Sequence, residues 1–203
     1  MTDVLILHAT LPGEIDAGPA AALLARLPYA RRLELERRDA AARLASLAGT
    51  ALVLAGAGRL RGRPVELAKL RFPLGGKPML TGGPWFSISH SVSRVAVALS
   101  DCSEVGLDLE DVLSGAGAVG SEATGSLGRW TATEAALKAV GAGIRSAGDV
   151  RLSADRSIAQ LDGEVLYLRP LALAEDCVAC LATRAAISRL SVEELGIPWS
   201  CAT

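Results

Sequence analysis

The sequence predicts an α+β fold of two pseudo-symmetric lobes, each a small antiparallel sheet packed on a helix. Three observations point there. A helix followed by strands occurs once before Asp101 and again after Ser126. Arg94-Val-Ala-Val-Ala-Leu-Ser100 resembles Asp176-Cys-Val-Ala-Cys-Leu-Ala-Thr183. The 203 residues suit one ordinary domain or two lobes of about 100 residues each. The expected division is 1–101 and 102–203, two halves of one pseudo-dimeric unit, which predicts a monomer.

The elements follow in order. Val4-Leu-Ile-Leu7 is a short first strand, and residues 18–27 are Ala/Leu-rich and stop before Pro28, as a short helix would. From Arg31 to Gly49 runs the clearest helical period, with Leu33, Ala40, Leu44 and Leu47 recurring and Gly49 able to close it; the helix can resume through Leu54. Residues 58–64 carry Gly, Arg and Pro and read as a loop. Trp85–Ser89, Arg94–Ser100 and Val105–Glu110 are strands separated by polar turns. Residues 113–128 hold mostly small side chains with little to pack and read as a flexible loop. A helix over 130–140 ends at Gly141-Ala-Gly143, and 150–153, 157–161, 164–168 and 177–184 form a strand meander.

Composition removes several function classes. With 50% hydrophobic and 21% charged residues the chain is globular rather than disordered. No apolar run reaches the roughly 18–20 residues of a membrane helix, and residues 1–25 carry acids rather than a basic leader. No membrane partner and a cytoplasmic location are therefore expected. Two histidines, His8 and His90, are too few for a multi-imidazole zinc site and leave oxygen ligands as the metal chemistry. Only 3% aromatic residues argue against base stacking, so no nucleic-acid partner is expected. Cys177-Val-Ala-Cys180 has no second pair and sits in a strand-like run, so it reads as buried thiols. Charge is uneven. Arg26–Lys77 holds 12 basic and 4 acidic residues, a balance of +8 within a net −1, which suits a face that meets an anion.

Three groups of residues carry chemistry. Asp108 and Glu110, at i and i+2 on a strand, point to one face about 7 Å apart at ~3.3 Å per residue. Two carboxylates so placed can close on one divalent cation, or simply meet solvent. Glu134 and Lys138 share a helix face at i and i+4. They fit an ordinary ion pair, a third carboxylate with a phosphate clamp, or the end of a Thr131-Ala-Thr-Glu134 capping box. Ser89-His90-Ser91 is a donor cluster at a strand exit with no triad partner at a familiar spacing. Gly75-Gly-Lys77-Pro78 lacks the length and following hydroxyl of a P-loop.

Taken in order, Gly76-Lys77-Pro78, Trp85-Phe-Ser-Ile-Ser-His-Ser91, Val105-Gly-Leu-Asp-Leu-Glu110 and Trp130-Thr-Ala-Thr-Glu-Ala-Ala-Leu-Lys138 resemble the 4′-phosphopantetheinyl transferases. The similarity is to the larger monomeric type acting on synthetases and synthases and covers about residues 75–144. It implies that family's fold, two similar lobes with the site between them. It also implies transfer of the phosphopantetheine arm of coenzyme A to a serine of an apo acyl or peptidyl carrier protein, releasing 3′,5′-ADP. By this resemblance Asp108, Glu110 and Glu134 would hold Mg²⁺, and Glu134 or Glu110 would help deprotonate the serine. Lys138 would meet the pyrophosphate, Ser89 and His90 the 3′-phosphate end, and Lys77-Pro78 the adenine. Of Arg31, Arg32, Arg37, Arg38 and Arg43, all candidates for the nucleotide phosphates, Arg38 and Arg43 are taken as coenzyme contacts. Three departures stand out: Thr133 where Lys is usual, Ser87 where Asn is common, and a short Gly/Ala-rich 112–128 where the family contacts its carrier. A non-catalytic coenzyme A or carrier-binding module of the same fold is the alternative expectation.

Overall fold

The computed structural model describes residues 1–13, 17–73, 76–112 and 121–202. In chain order the elements are β1 (Thr2–Thr10), α1 (Ala17–Arg26), α2 (Tyr29–Glu36), α3 (Ala40–Arg61), β2 (Leu70–Arg71), β3 (Met79–Leu80), β4 (Trp85–His90), β5 (Arg94–Ser100), β6 (Val105–Asp111), α4 (Ser121–Val140), β7 (Arg151–Leu152), β8 (Ile158–Leu161), β9 (Glu164–Leu171), β10 (Cys177–Thr183) and β11 (Ile187–Glu194). The class is α+β, as expected. One sheet has the order β11-β1-β5-β4 and a second the order β6-β10-β9-β8-β7, with β2 and β3 as a separate small pair.

Side-chain alternation stacks these into four layers. On β1, Leu5, Leu7 and Ala9 face a core shared with α1, α2 and α3, while Val4 and Ile6 face the second sheet. Being buried on both faces is why this strand reads as a continuous apolar run. Ala96 and Ala98 of β5 join Leu107, Leu109 and Leu181 in the sheet–sheet core. On the far side Ala132, Ala135, Ala136 and Ala139 of α4 pack on Leu166, Leu168, Cys180 and Ala182. The two matched sequence segments take equivalent places: β5 lies between β4 and β1, and β10 lies between β6 and β9.

Several expectations are corrected. The single helix over 31–49 is two: α2 ends at Glu36 with Arg37 as its C-cap, and Asp39 caps the next by accepting from Ala42 N at 2.8 Å. Residues 58–61 are helical rather than loop, and α3 stops at Gly62, whose left-handed φ of 64° suits glycine. That makes α3 long and apolar enough to cross a membrane by length and composition, contrary to the sequence reading, although most of it is buried inside the protein. Of the expected 113–128 loop, 113–120 lie outside the described residues and 121–128 belong to α4. Thr131 is therefore inside the helix, not its N-cap, and its hydroxyl donates to Gly128 O at 3.3 Å.

The first sheet is mixed rather than antiparallel, since β11 pairs parallel with β1 from Thr2↔Ile187 to His8↔Glu194. Strand β11 carries no alternating apolar signal because it is a half-exposed edge strand. It also places residues 187–194 in the same sheet as β1, β5 and β4, across the expected division at 101/102. The four cysteines are all free, and burial pushes the Cys180 thiol up to about 12, which keeps it protonated.

Candidate functional site

With Leu107 and Leu109 turned into the sheet–sheet core, strand alternation puts Gly106, Asp108 and Glu110 on the side facing α4. Gly106 makes the approach possible. A Cβ there would stand 1.9 Å from Ala135 O and 2.4 Å from Ala139 N, so only glycine lets the helix backbone lie against the strand. Close packing through alanines then brings Glu134 and Lys138, one turn apart, over Asp108 and Glu110.

Lys138 is the hub. Its Nζ donates to Asp108 Oδ1 at 2.6 Å and to Ser89 Oγ at 3.0 Å, and Ser89 Oγ donates to the same Asp108 oxygen at 2.9 Å. Asp108 is nearly fully buried, and its other oxygen, Oδ2, has no hydrogen-bond partner among the described residues. Glu110 Oε1 accepts from the indole Nε1 of Trp130 at 3.2 Å. Burial raises the Glu110 carboxyl above its ordinary range, and the Asp108 charge adds to this. Burial does the same to Glu134, where Lys138 works the other way and Asp108 and Glu110 reinforce the rise. The three carboxylates thus sense one another, yet among the described residues no three or more His, Cys, Asp or Glu form a ready metal-holding group.

Beside this cluster opens a cleft of about 320 Å³, lined by Arg31, Arg38, Lys77, His90 and Lys138 over an apolar wall of Pro78, Phe86 and Ile88. Glu34 ties the two arginines, accepting at 2.7 Å from each. Arg31 also stacks 4.9 Å from the Phe72 ring centroid, and Arg38 donates to Ser46 Oγ at 3.1 Å. Lys77 donates to Val105 O at 2.6 Å and Lys138 O at 2.8 Å, so it caps the C-terminal end of α4. Burial brings its ammonium down to about 8. Partial burial lowers the His90 imidazole too, with Lys138 and Arg38 adding to the effect. A cleft with this many cations and one apolar wall suits an anion joined to a flat or aliphatic group.

The predicted residues divide into three sets. Asp108, Glu110, Glu134 and Lys138 meet at the β6–α4 contact, and Lys77, Pro78, His90 and Arg38 line the cleft. Ser89 sits behind the lining, bound to Asp108 and Lys138, and Arg43 is not among the lining residues. Sequence reasoning missed the hold of Trp130 on Glu110 and the part played by Gly106. Thr133 is half-buried, returns its hydroxyl to Arg129 O at 3.0 Å and brings no charge to the site. The chain matches no protein-family model, and no curated protein is similar to it in sequence.

Proposed function

We propose that the chain is a Mg²⁺-dependent 4′-phosphopantetheinyl transferase, which moves the arm of coenzyme A onto a serine of an apo acyl or peptidyl carrier protein. The observation that carries this reading is the meeting of Asp108, Glu110, Glu134 and Lys138 at the β6–α4 contact, beside a cationic cleft that Lys138 also lines. The metal suits the donor set: hard carboxylate oxygens only, one of them the unpartnered Asp108 Oδ2. Asp108, Glu110 and Glu134 would hold the cation, whose chemistry is to neutralise pyrophosphate charge.

The chain's own residues do the rest. Arg31, Arg38 and His90 hold the phosphate at the nucleotide end, and Pro78 and Phe86 give the base an apolar wall. Lys138 faces both the cleft and the acids, the place for a group that bridges to pyrophosphate. Glu134, with its raised pKa, takes the proton of the carrier serine. The serine oxygen bonds to the phosphorus nearer the pantetheine, the pyrophosphate P–O bond breaks, and 3′,5′-ADP leaves with the bond electrons.

Incubation with apo carrier proteins, coenzyme A and Mg²⁺ followed by mass spectrometry tests this. Addition of one phosphopantetheine per carrier is expected; no addition to any carrier of fatty-acid, polyketide or peptide assembly type overturns it. The closed Lys138–Asp108 pair favours one other reading, a non-catalytic coenzyme A or carrier-binding module of the same fold. Calorimetry separates them, because that module would bind coenzyme A equally well with or without Mg²⁺ and after Glu134→Gln.

A further inference from the structure

Strands β4 and β6 are the edges at which the two sheets meet, yet they share no backbone ladder. Serine side chains cross the seam instead. Leu107 N donates to Ser87 Oγ at 3.0 Å, and Leu109 N donates to Ser89 Oγ at 3.3 Å. Two residues further along each strand, Ser91 Oγ donates to Asp111 Oδ1 at 2.6 Å. The three rungs join residues 87 and 107, 89 and 109, and 91 and 111, a constant offset of 20 with both strands running the same way. A strand side chain returns to one face every second residue, so the rungs fit together in one register and a slip breaks all of them.

Asp111 is the strongest rung. Its carboxylate also accepts from Ser93 Oγ at 2.6 Å and from Val92 N and Ser93 N at 3.0 Å each, which makes four bonds from one side chain to the β4–β5 turn. His90 is the residue just before that turn, and Glu110 is the residue just before Asp111. The carboxylate therefore ties the strand end that carries the cleft-lining His90 to the strand end that carries the acids. Its side chain is on the opposite strand face from Asp108 and Glu110, so it acts on them only through the backbone.

We propose that Asp111 is a positioning residue: as the terminal rung of a serine ladder it sets the register between the β4 edge of the cleft and the acid-bearing β6. The functional consequence rests on the transferase reading; the structural one does not. A ligand anchored at the cleft by one end and reacting at β6 by the other depends on that register, and a small misplacement of reacting groups costs a large factor in rate.

The test uses the full chain with Asp111→Ala and Asp111→Asn. Amide hydrogen exchange by NMR at Leu107 and Leu109, whose N–H groups form the other rungs, should accelerate at least tenfold in Asp111→Ala. Leu109, the nearer rung, should change more, and Asp111→Asn, which keeps one acceptor oxygen, should fall between. Exchange at buried α3 amides such as Leu52 and Val53 serves as the measure of global stability. In transfer assays kcat should fall about tenfold while the affinity for 3′,5′-ADP stays within twofold. Leu107 and Leu109 accelerating no more than the α3 amides would reduce Asp111 to a contributor to stability and overturn the proposal, as would an unchanged kcat in an active enzyme. If the wild-type chain transfers nothing, the transferase reading fails and the exchange pattern alone decides the ladder.

Discussion

Helices α3 and α4 each cover the outer face of one sheet, but they touch it through different residues. Helix α3 is buried on nearly all sides from Leu44 to Ala57 and packs with Leu47, Leu52 and Leu54 against the first core. Its buried hydroxyls are taken up by the protein itself: Thr50 donates to Ser46 O and Ser46 to Ala42 O, both at 2.9 Å, and Ser46 Oγ, at the cleft wall, accepts from Arg38. Helix α4 meets its sheet through alanines set against Gly106 of β6, so its backbone lies close to the strand and Lys138 reaches Asp108. Leucine spacing builds a core; alanine spacing lets a lysine and a carboxylate on a helix meet a carboxylate on a strand.

The sharpest way to break the comparison is to add one methyl group to each helix–sheet contact. At Gly106 the new Cβ meets helix backbone, which cannot give way. Gly106→Ala should lower stability by roughly 3 kcal/mol, the upper part of the overpacking range, and abolish transfer. By scanning calorimetry that is a fall in Tm of roughly 6–12 °C. At Gly56 the Cβ would stand 2.6 Å from Leu99 Cδ1, the end of a side chain that can rotate away. Gly56→Ala should be nearly neutral, since about 1 kcal/mol of helix propensity offsets the crowding. Equal losses at the two positions would show that spacing does not separate the helices.

Next in size is Asp108→Ala, which should cut transfer at least 100-fold. It also leaves the half-buried Lys138 ammonium without its carboxylate, so Tm should fall as well, and Lys138→Met in the same chain should restore stability but not activity. Failure of the second change to restore Tm would mean that the pair is not what holds α4 to β6.

Glu134→Gln should have a smaller effect on stability and of the opposite sign. A carboxyl whose folded pKa is raised favours folding below its unfolded value and loses that advantage as pH rises through the folded one. At pH 7 the wild type therefore carries an unfavourable buried charge that Gln lacks, and the variant should melt slightly higher. The gap should close below about pH 4. Added Mg²⁺ should raise the Tm of the wild type and not of the variant. A variant that melts lower at pH 7 would contradict the raised pKa. Smallest of all, Thr133→Lys should leave Tm within a degree or two and lower the KM for an acidic carrier a few-fold. An unchanged KM would place carrier recognition elsewhere.

What the sequence made legible follows the range of the interaction. Asp108 with Glu110 and Glu134 with Lys138 were readable as pairs, because each depends only on local period. The Lys138–Asp108 bond joins residues 30 apart, and the Ser89–Asp108 bond residues 19 apart, so no periodicity could reveal them. The break between α2 and α3 was hidden because the leucines keep a helical period across it, and one side-chain cap at Asp39 overrides that pattern. The early start of α4 was hidden because its first turns are rich in Gly and Ser, poor helix formers that tertiary context carries. Ser89 and Ser91, the hydroxyls flanking His90, looked like donors for an anion and instead donate to Asp108 and Asp111 of the facing strand.

The parallel pairing of β11 with β1 has a consequence for how the chain is made. Strand β1 is synthesised about 180 residues before β11, and the partner for one of its edges comes from residues 187–194. Until those residues are synthesised, a strongly apolar strand carries a row of unpaired backbone donors and acceptors, the kind of edge that other chains pair with. Completing the first sheet thus has a high contact order. Late closure of that edge is built into the topology.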